Sequence, residues 1–168
     1  MRRMLGTGLA VLVGAFGATA ISAMASNGGA GSSSKTTKLW VVEHATTDTE
    51  FPTGGGATGS DKFGDILAFG NPVFNRADTK MVGVDQGQCI RIRPVANALG
   101  RSNWECWWTT LLARGQITVE GPFYDTHDSM LSITGGTGAY NGVKGQMLLH
   151  SKIVHGQQEY DFVFSMKS

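Results

Sequence analysis

Two cysteines, a glutamate, an arginine and a group of aromatics are the residues of this chain whose types and spacing bear on chemistry. Cys89 lies in GVDQGQCIRIRP and Cys106 in SNWECWW, two segments of alternating pattern. Paired as adjacent antiparallel strands across the 94–103 loop, they set Arg93 opposite Ser102 and Cys89 opposite Cys106. In an exported protein such a pair is often a disulfide, worth roughly 3 kcal/mol on the loop-entropy account. The alternative is two free thiols, whose plainest role is to fill core volume. Glu43, in LWVVEHATTD, shares its parity with Leu39, Val41 and Ala45. A carboxylate on an apolar face is either solvated at the strand's rim or inside and costly unless paired, and acidic residues are seldom fully buried, so the rim is expected. Arg91 shares the face of Cys89. If both point inward, a Glu43–Arg91 pair accounts for both residues; an inward, unpaired Arg91 would hold a substrate carboxylate. Trp104 and Trp108 fall on the Cys106 face and Trp107 on the other, so the first two either wall a chamber able to stack on a flat or polyene-like ligand or plug it.

The usual cofactor and nucleophile signatures are absent. GGTGAYNG lacks the strand-to-helix setting of a dinucleotide fingerprint, so its glycines are read as positive-φ corner residues. GGGATGSDK lacks the Lys-Ser/Thr ending of a phosphate loop, and there is no G-x-S-x-G elbow. His44, His127, His150 and His155 are scattered, so neither a metal site nor any other cofactor is expected.

What positions these residues is a series of period-two segments, the signature of strands with one face in a core. Strands are expected at about 38–46, 64–74, 80–92, 103–112, 115–121, 129–134, 143–153 and 158–166. Eight antiparallel strands close into a barrel just wide enough for side chains and one small ligand. The fold class is therefore all-β: a single eight-stranded up-and-down antiparallel β-barrel over 37–168.

Upstream, MRRM, an apolar run through Ser22 and the triplet Ala23-Met24-Ala25 have the order of a secretory signal peptide, cleaved after Ala25. The apolar run carries Gly6, Gly8, Gly14 and Gly17 and is short for a spanning helix, so no membrane span is expected after cleavage and the protein is expected to be secreted. Residues 26–36 are a Gly/Ser-rich linker. A formal charge of +1 without a Lys/Arg cluster argues against a nucleic-acid partner. Outward Ile90 and Ile92 leave an apolar strip on the wall, which predicts a homo-oligomer, trimer before dimer.

GVDQGQCIRI followed by ITVEGPFYDTHDSMLSITGGTGAYNGVKGQ, with GDILAFGNPVF upstream, resembles allene oxide cyclase in the order of its segments; dirigent proteins share the GGTG corner but match the cysteine strand and GPFY less well. The resemblance implies a hydrophobic barrel, usually trimeric, that isomerises an unstable fatty-acid epoxide to a cyclopentenone of one handedness without metal or organic cofactor. By position, Glu43 resembles the family's polarising glutamate and Cys89 its lumen cysteine, a free thiol. Pro52 and Asn71 resemble the residues that hold an epoxide-binding water, and Phe69 a wall phenylalanine. Three positions depart: Ala45 for an asparagine, Phe51 for a serine and Phe123 for a tyrosine. The implied function is a cofactor-independent isomerase or cyclase for a hydrophobic small molecule, with Glu43 and Cys89 catalytic and Pro52, Phe69, Asn71, Arg91, Trp104, Trp108 and Phe123 binding substrate. The alternatives are a lipocalin-like binding protein and a dirigent-type protein that orients radicals made by a separate oxidase.

Overall fold

The computed structural model describes residues 35–53, 62–93, 103–124 and 127–167. The expected signal peptide, most of the linker and the greater part of the two loops at 52–62 and 94–103 lie outside the described residues.

Nine strands form one antiparallel sheet: β1 (Thr36–His44), β2 (Thr49–Phe51), β3 (Ile66–Asn75), β4 (Met81–Arg93), β5 (Asn103–Leu112), β6 (Gly115–Tyr124), β7 (Ser129–Gly136), β8 (Lys144–Val154) and β9 (Gln157–Lys167). Their order is β1-β9-β8-β7-β6-β5-β4-β3-β2, and an additional β1–β3 pairing closes the eight long strands into a barrel. The closing seam is short, three residue pairs between β1 and β3, and closure of this kind is how a small all-β domain limits exposed sheet edges. Large apolar side chains fill the interior: Val41 on β1, Val73 on β3, Ile117 and Val119 on β6, Leu131 and Ile133 on β7, Met147 and Leu149 on β8, and Phe162, Phe164 and Met166 on β9 are all buried.

Two local features depart from the sequence expectation. β3 is shared: β1 pairs with its second half through Val41↔Asn75 to Glu43↔Val73, and the three-residue β2 pairs with its first half through Thr49↔Ala68 to Phe51↔Ile66. One edge is thus a single line of chain interrupted at residues 45–48, and a strand of three residues is too short to leave a periodic trace. The β4–β5 hairpin sets Cys89 opposite Cys106 as expected, but a bulge between Arg91 and Arg93 moves Arg93 opposite Asn103 instead of Ser102. In the GGTGAYNG corner, Gly138 and Gly142 take positive φ (59° and 75°) and a short 3₁₀ turn spans Gly138–Tyr140. Gly136 has a different reason to be glycine: a Cβ there would meet Tyr140 O at 2.4 Å.

Candidate active site

The interruption between β1 and β2 builds the polar end of the lumen. Residues 45–48 leave the sheet, and Asn71, inward on β3 and fully buried, fills the gap. Its Oδ1 accepts hydrogen bonds from the Thr46 N–H (3.0 Å), the Thr47 N–H (2.9 Å) and the Thr47 hydroxyl (2.9 Å). Three donors on the oxygen fix the amide's orientation, so its Nδ2 must face acceptors. It donates to Glu43 Oε1 and to Asp48 Oδ1, the latter at 2.7 Å.

Glu43 is therefore not at the rim. It is 3% exposed on the lumen side of β1, and the cost of burying its carboxyl is offset in part by Asn71. A second acid, unrecognised from sequence, lies directly across from Asn71: Asp85 of β4, fully buried. Neither of its carboxyl oxygens has a hydrogen-bond partner of good geometry. Burial and then the charge of Asp85 push the Glu43 carboxyl well above the usual range, against the Asn71 hydrogen bond. Burial pushes Asp85 up to about 8, with the charge of Asp48 adding and the backbone amides of Asn71 and Asp85 opposing. Asp48 sits at the mouth with one side open to solvent, and partial burial raises it despite Asn71.

Below this acidic end the lumen is aromatic and apolar. A cavity of about 30 Å³ is lined by Glu43, Asp48, Phe69, Trp108, Phe123, Tyr160 and Phe162, together with Leu67, Leu149 and both cysteines. That space takes a water molecule or two, so a larger ligand must displace side chains. Trp108 is the hub of the wall, edge-on to Phe69 (5.9 Å between centroids) and tilted against Phe162 (5.6 Å). Gly87 makes room for it: a Cβ at that position would lie 2.2 Å from Trp108 Cβ. The Trp108 Nε1–H is buried without a hydrogen-bond partner, a donor left for something inside the chamber.

The residues expected to act together are thus partly gathered. Glu43, Phe69, Cys89, Trp108 and Phe123 line the cavity, and Asn71 holds Glu43. The free lumen thiol is not found, because Cys89 and Cys106 are joined in a disulfide with Cα atoms 4.0 Å apart; their sulfurs form cavity wall and cannot polarise substrate as a thiol would. The Glu43–Arg91 pair is not formed either. Arg91, also buried, reaches Glu50 Oε1 on β2 at 3.8 Å and lies over the Trp104 ring at 3.8 Å. Both sit beyond the cavity wall, as does half-buried Pro52. Beside them Asp65, fully buried, accepts from the Lys62 N–H (2.6 Å), the Thr53 N–H (2.7 Å) and the Thr53 hydroxyl (3.1 Å), and these bonds hold it below the usual carboxylate range. Asp48, Asp85, Tyr160 and Phe162 are among the site residues that sequence reasoning missed. Asp85 shares the parity of Cys89, and that was the available signal; Tyr160 stands opposite Glu43 on β9. On the outer wall His44 Nε2 meets Asp78 Oδ1 (2.8 Å) and Glu159 Oε1 (3.8 Å), where Lys152 bridges Glu159 and Asp161; the ammonium supplies the counter-charge of an ion-pair network there.

The same barrel recurs in solved structures. A pyocyanin demethylase has a TM-score of 0.61 at 23% identity, over 76% of this chain and 100% of that one. The pterocarpan synthase dirigent protein GePTS1 gives 0.65 at 18%, over 89% and 98%, and the exo-specific intermolecular Diels-Alderase AbnU gives 0.58 at 13%, over 80% and 99%. At these identities the likeness is one of fold. Residues 32–167, most of the chain, match the family model described as allene oxide cyclase, and the chain belongs to the allene oxide cyclase family.

Proposed function

We propose that this barrel is a cofactor-independent isomerase or cyclase that closes a ring, with one handedness, in an uncharged hydrophobic small molecule held in the lumen. The observation that carries the reading is Glu43: a buried, hydrogen-bonded carboxyl that with Asp48 forms the polar end of a largely aromatic and apolar cavity. The family membership and the dirigent and Diels-Alderase neighbours support a cyclising or orienting role.

Confinement acts first. A flexible, reactive substrate folded between Phe69, Trp108, Phe123 and Phe162 has its orientation entropy lost on binding and not in the transition state, which is worth several kcal/mol. Electrostatics acts second. Glu43, held by Asn71, meets the reacting oxygen or π-system in a dry chamber where fixed dipoles are strong. The Trp108 Nε1–H is placed to hydrogen-bond a substrate acceptor. Arg91 is engaged with Glu50 outside the cavity wall, so a fatty-acid carboxylate finds no cation among the described lining residues, and the preferred substrate is neutral.

The test is to incubate the mature domain with uncharged epoxides, polyenes and quinone methides and to follow product handedness. Enantiomeric excess above the buffer reaction is expected for at least one class. Ligands recovered unchanged from all of them make the chain a binding protein, and handedness that appears only with an added oxidant makes it a dirigent-type partner.

A further inference from the structure

We propose that Asp85 is a positioning residue that keeps the lumen carboxyl of Glu43 in its proton-bearing form, so that the group facing the substrate is an acid and not a carboxylate. The catalytic consequence rests on the proposed function; the proton inventory does not.

Among the described residues, Asp85 has no side-chain hydrogen bond of good geometry. Both N–H bonds of the Asn71 side chain go to Glu43 and Asp48, so the amide directly across from Asp85 has none to give. On the other flank Asp85 pairs with Thr110 of β5, whose hydroxyl is fully buried and also lacks a partner. Among the described residues, the titratable groups that face Glu43 are Asp48 from the 45–48 segment, Asp85 from β4 and Tyr160 from β9, and none of these is a cation. The buried cation of β4, Arg91, is taken by Glu50 and also favours the ionised form of Asp65. His44 and Lys152 point to the outer wall, into the network with Asp78, Glu159 and Asp161. Two acids on one amide and a third across the strand pair from it, with no counter-charge among the described residues, cannot all ionise in a dry interior, and protons make up the deficit. Titration then belongs to the group as a whole, and the deepest members keep their protons longest.

Such an acid donates a hydrogen bond or a proton to a carbonyl, hydroxyl or ether oxygen of the substrate and takes it back when the ring has closed, so the proton balance over a turnover is zero. Asp85 does this through Glu43 and touches no substrate, since it does not line the cavity.

The test reads the protein alone. The full barrel, labelled with ¹³C at glutamate and aspartate carboxyls, is titrated by NMR without ligand, and the Glu43 signal is assigned by its loss in Glu43→Gln. In the wild type Glu43 is expected to titrate well above an ordinary glutamate, and in Asp85→Asn its midpoint is expected to fall by about one unit or more. A wild-type Glu43 midpoint in the ordinary carboxylate range overturns the inference whether or not the Asp85 variant folds. A midpoint unmoved in a folded Asp85→Asn overturns it as well. A raised Glu43 midpoint in a protein that turns over no substrate leaves the inference standing and removes only the enzymatic reading.

Discussion

Two aspartates closed to solvent meet opposite fates here, and the difference lies in how strongly each is desolvated and in the donors and charges each one reaches. Asp65 accepts two backbone N–H groups and a hydroxyl and stays ionised; Asp85 finds none of good geometry and is pushed up to about 8. The sign of the stability effect follows. Asp85 binds its proton more tightly in the folded state than in the unfolded one, so its favourable contribution is complete below the ordinary carboxyl range and is lost as pH rises to about 8. Asp85→Asn removes that dependence. We expect the variant to match the wild type at acid pH and to be at least ~1 kcal/mol more stable at pH 8, read from melting curves across pH. Asp65 behaves oppositely: its lowered titration supports the fold above the ordinary range and fails as pH falls. Little of this was legible in the sequence. The parity of Glu43 placed it on the inner face, but its burial depends on Asn71, 28 residues away, and on a chain break that no periodicity records.

At the scale of the elements, the β4–β5 pair is the stiffest joint of the site, since a disulfide ties the two strands where they wall the cavity. Alkylation of the unreduced, denatured chain should leave the mass unchanged, and Cys89→Ala and Cys106→Ala should each cost about 2–5 kcal/mol. Two alkyl additions would mean free thiols and would return Cys89 to the candidates for catalysis. Eight long strands could be read from alternation because each keeps one face in the core. Strand pairing even set the cysteines opposite each other. The bulge beyond Arg91 escaped, because an inserted residue alters register without altering composition; Arg91 itself keeps the expected register, and its partners Glu50 and Trp104 in place of Glu43 depend on the short strand β2, which left no periodic trace.

At the scale of the whole molecule, the closed barrel leaves its outer wall as the surface through which copies can meet. Ile66, Ile92 and Trp107 are each more than a third exposed on neighbouring strands β3, β4 and β5. We propose export through the N-terminal signal and a homo-oligomer, trimer before dimer, built on this face; a monomeric mass by light scattering at micromolar concentration would contradict the oligomer. The barrel as a whole was legible because closure follows from strand number and alternation, whereas the free space left inside depends on how Trp108, Phe123 and Phe162 interlock. The central claim is that the lumen carboxyl acts on a substrate which the aromatic walls hold. The direct measurement is turnover by wild type and Glu43→Gln, with ligand affinity read in parallel from Trp fluorescence. The account predicts a rate lowered by about 10²-fold or more in the variant with Kd nearly unchanged; a Glu43→Gln protein that turns over as fast as the wild type would contradict it.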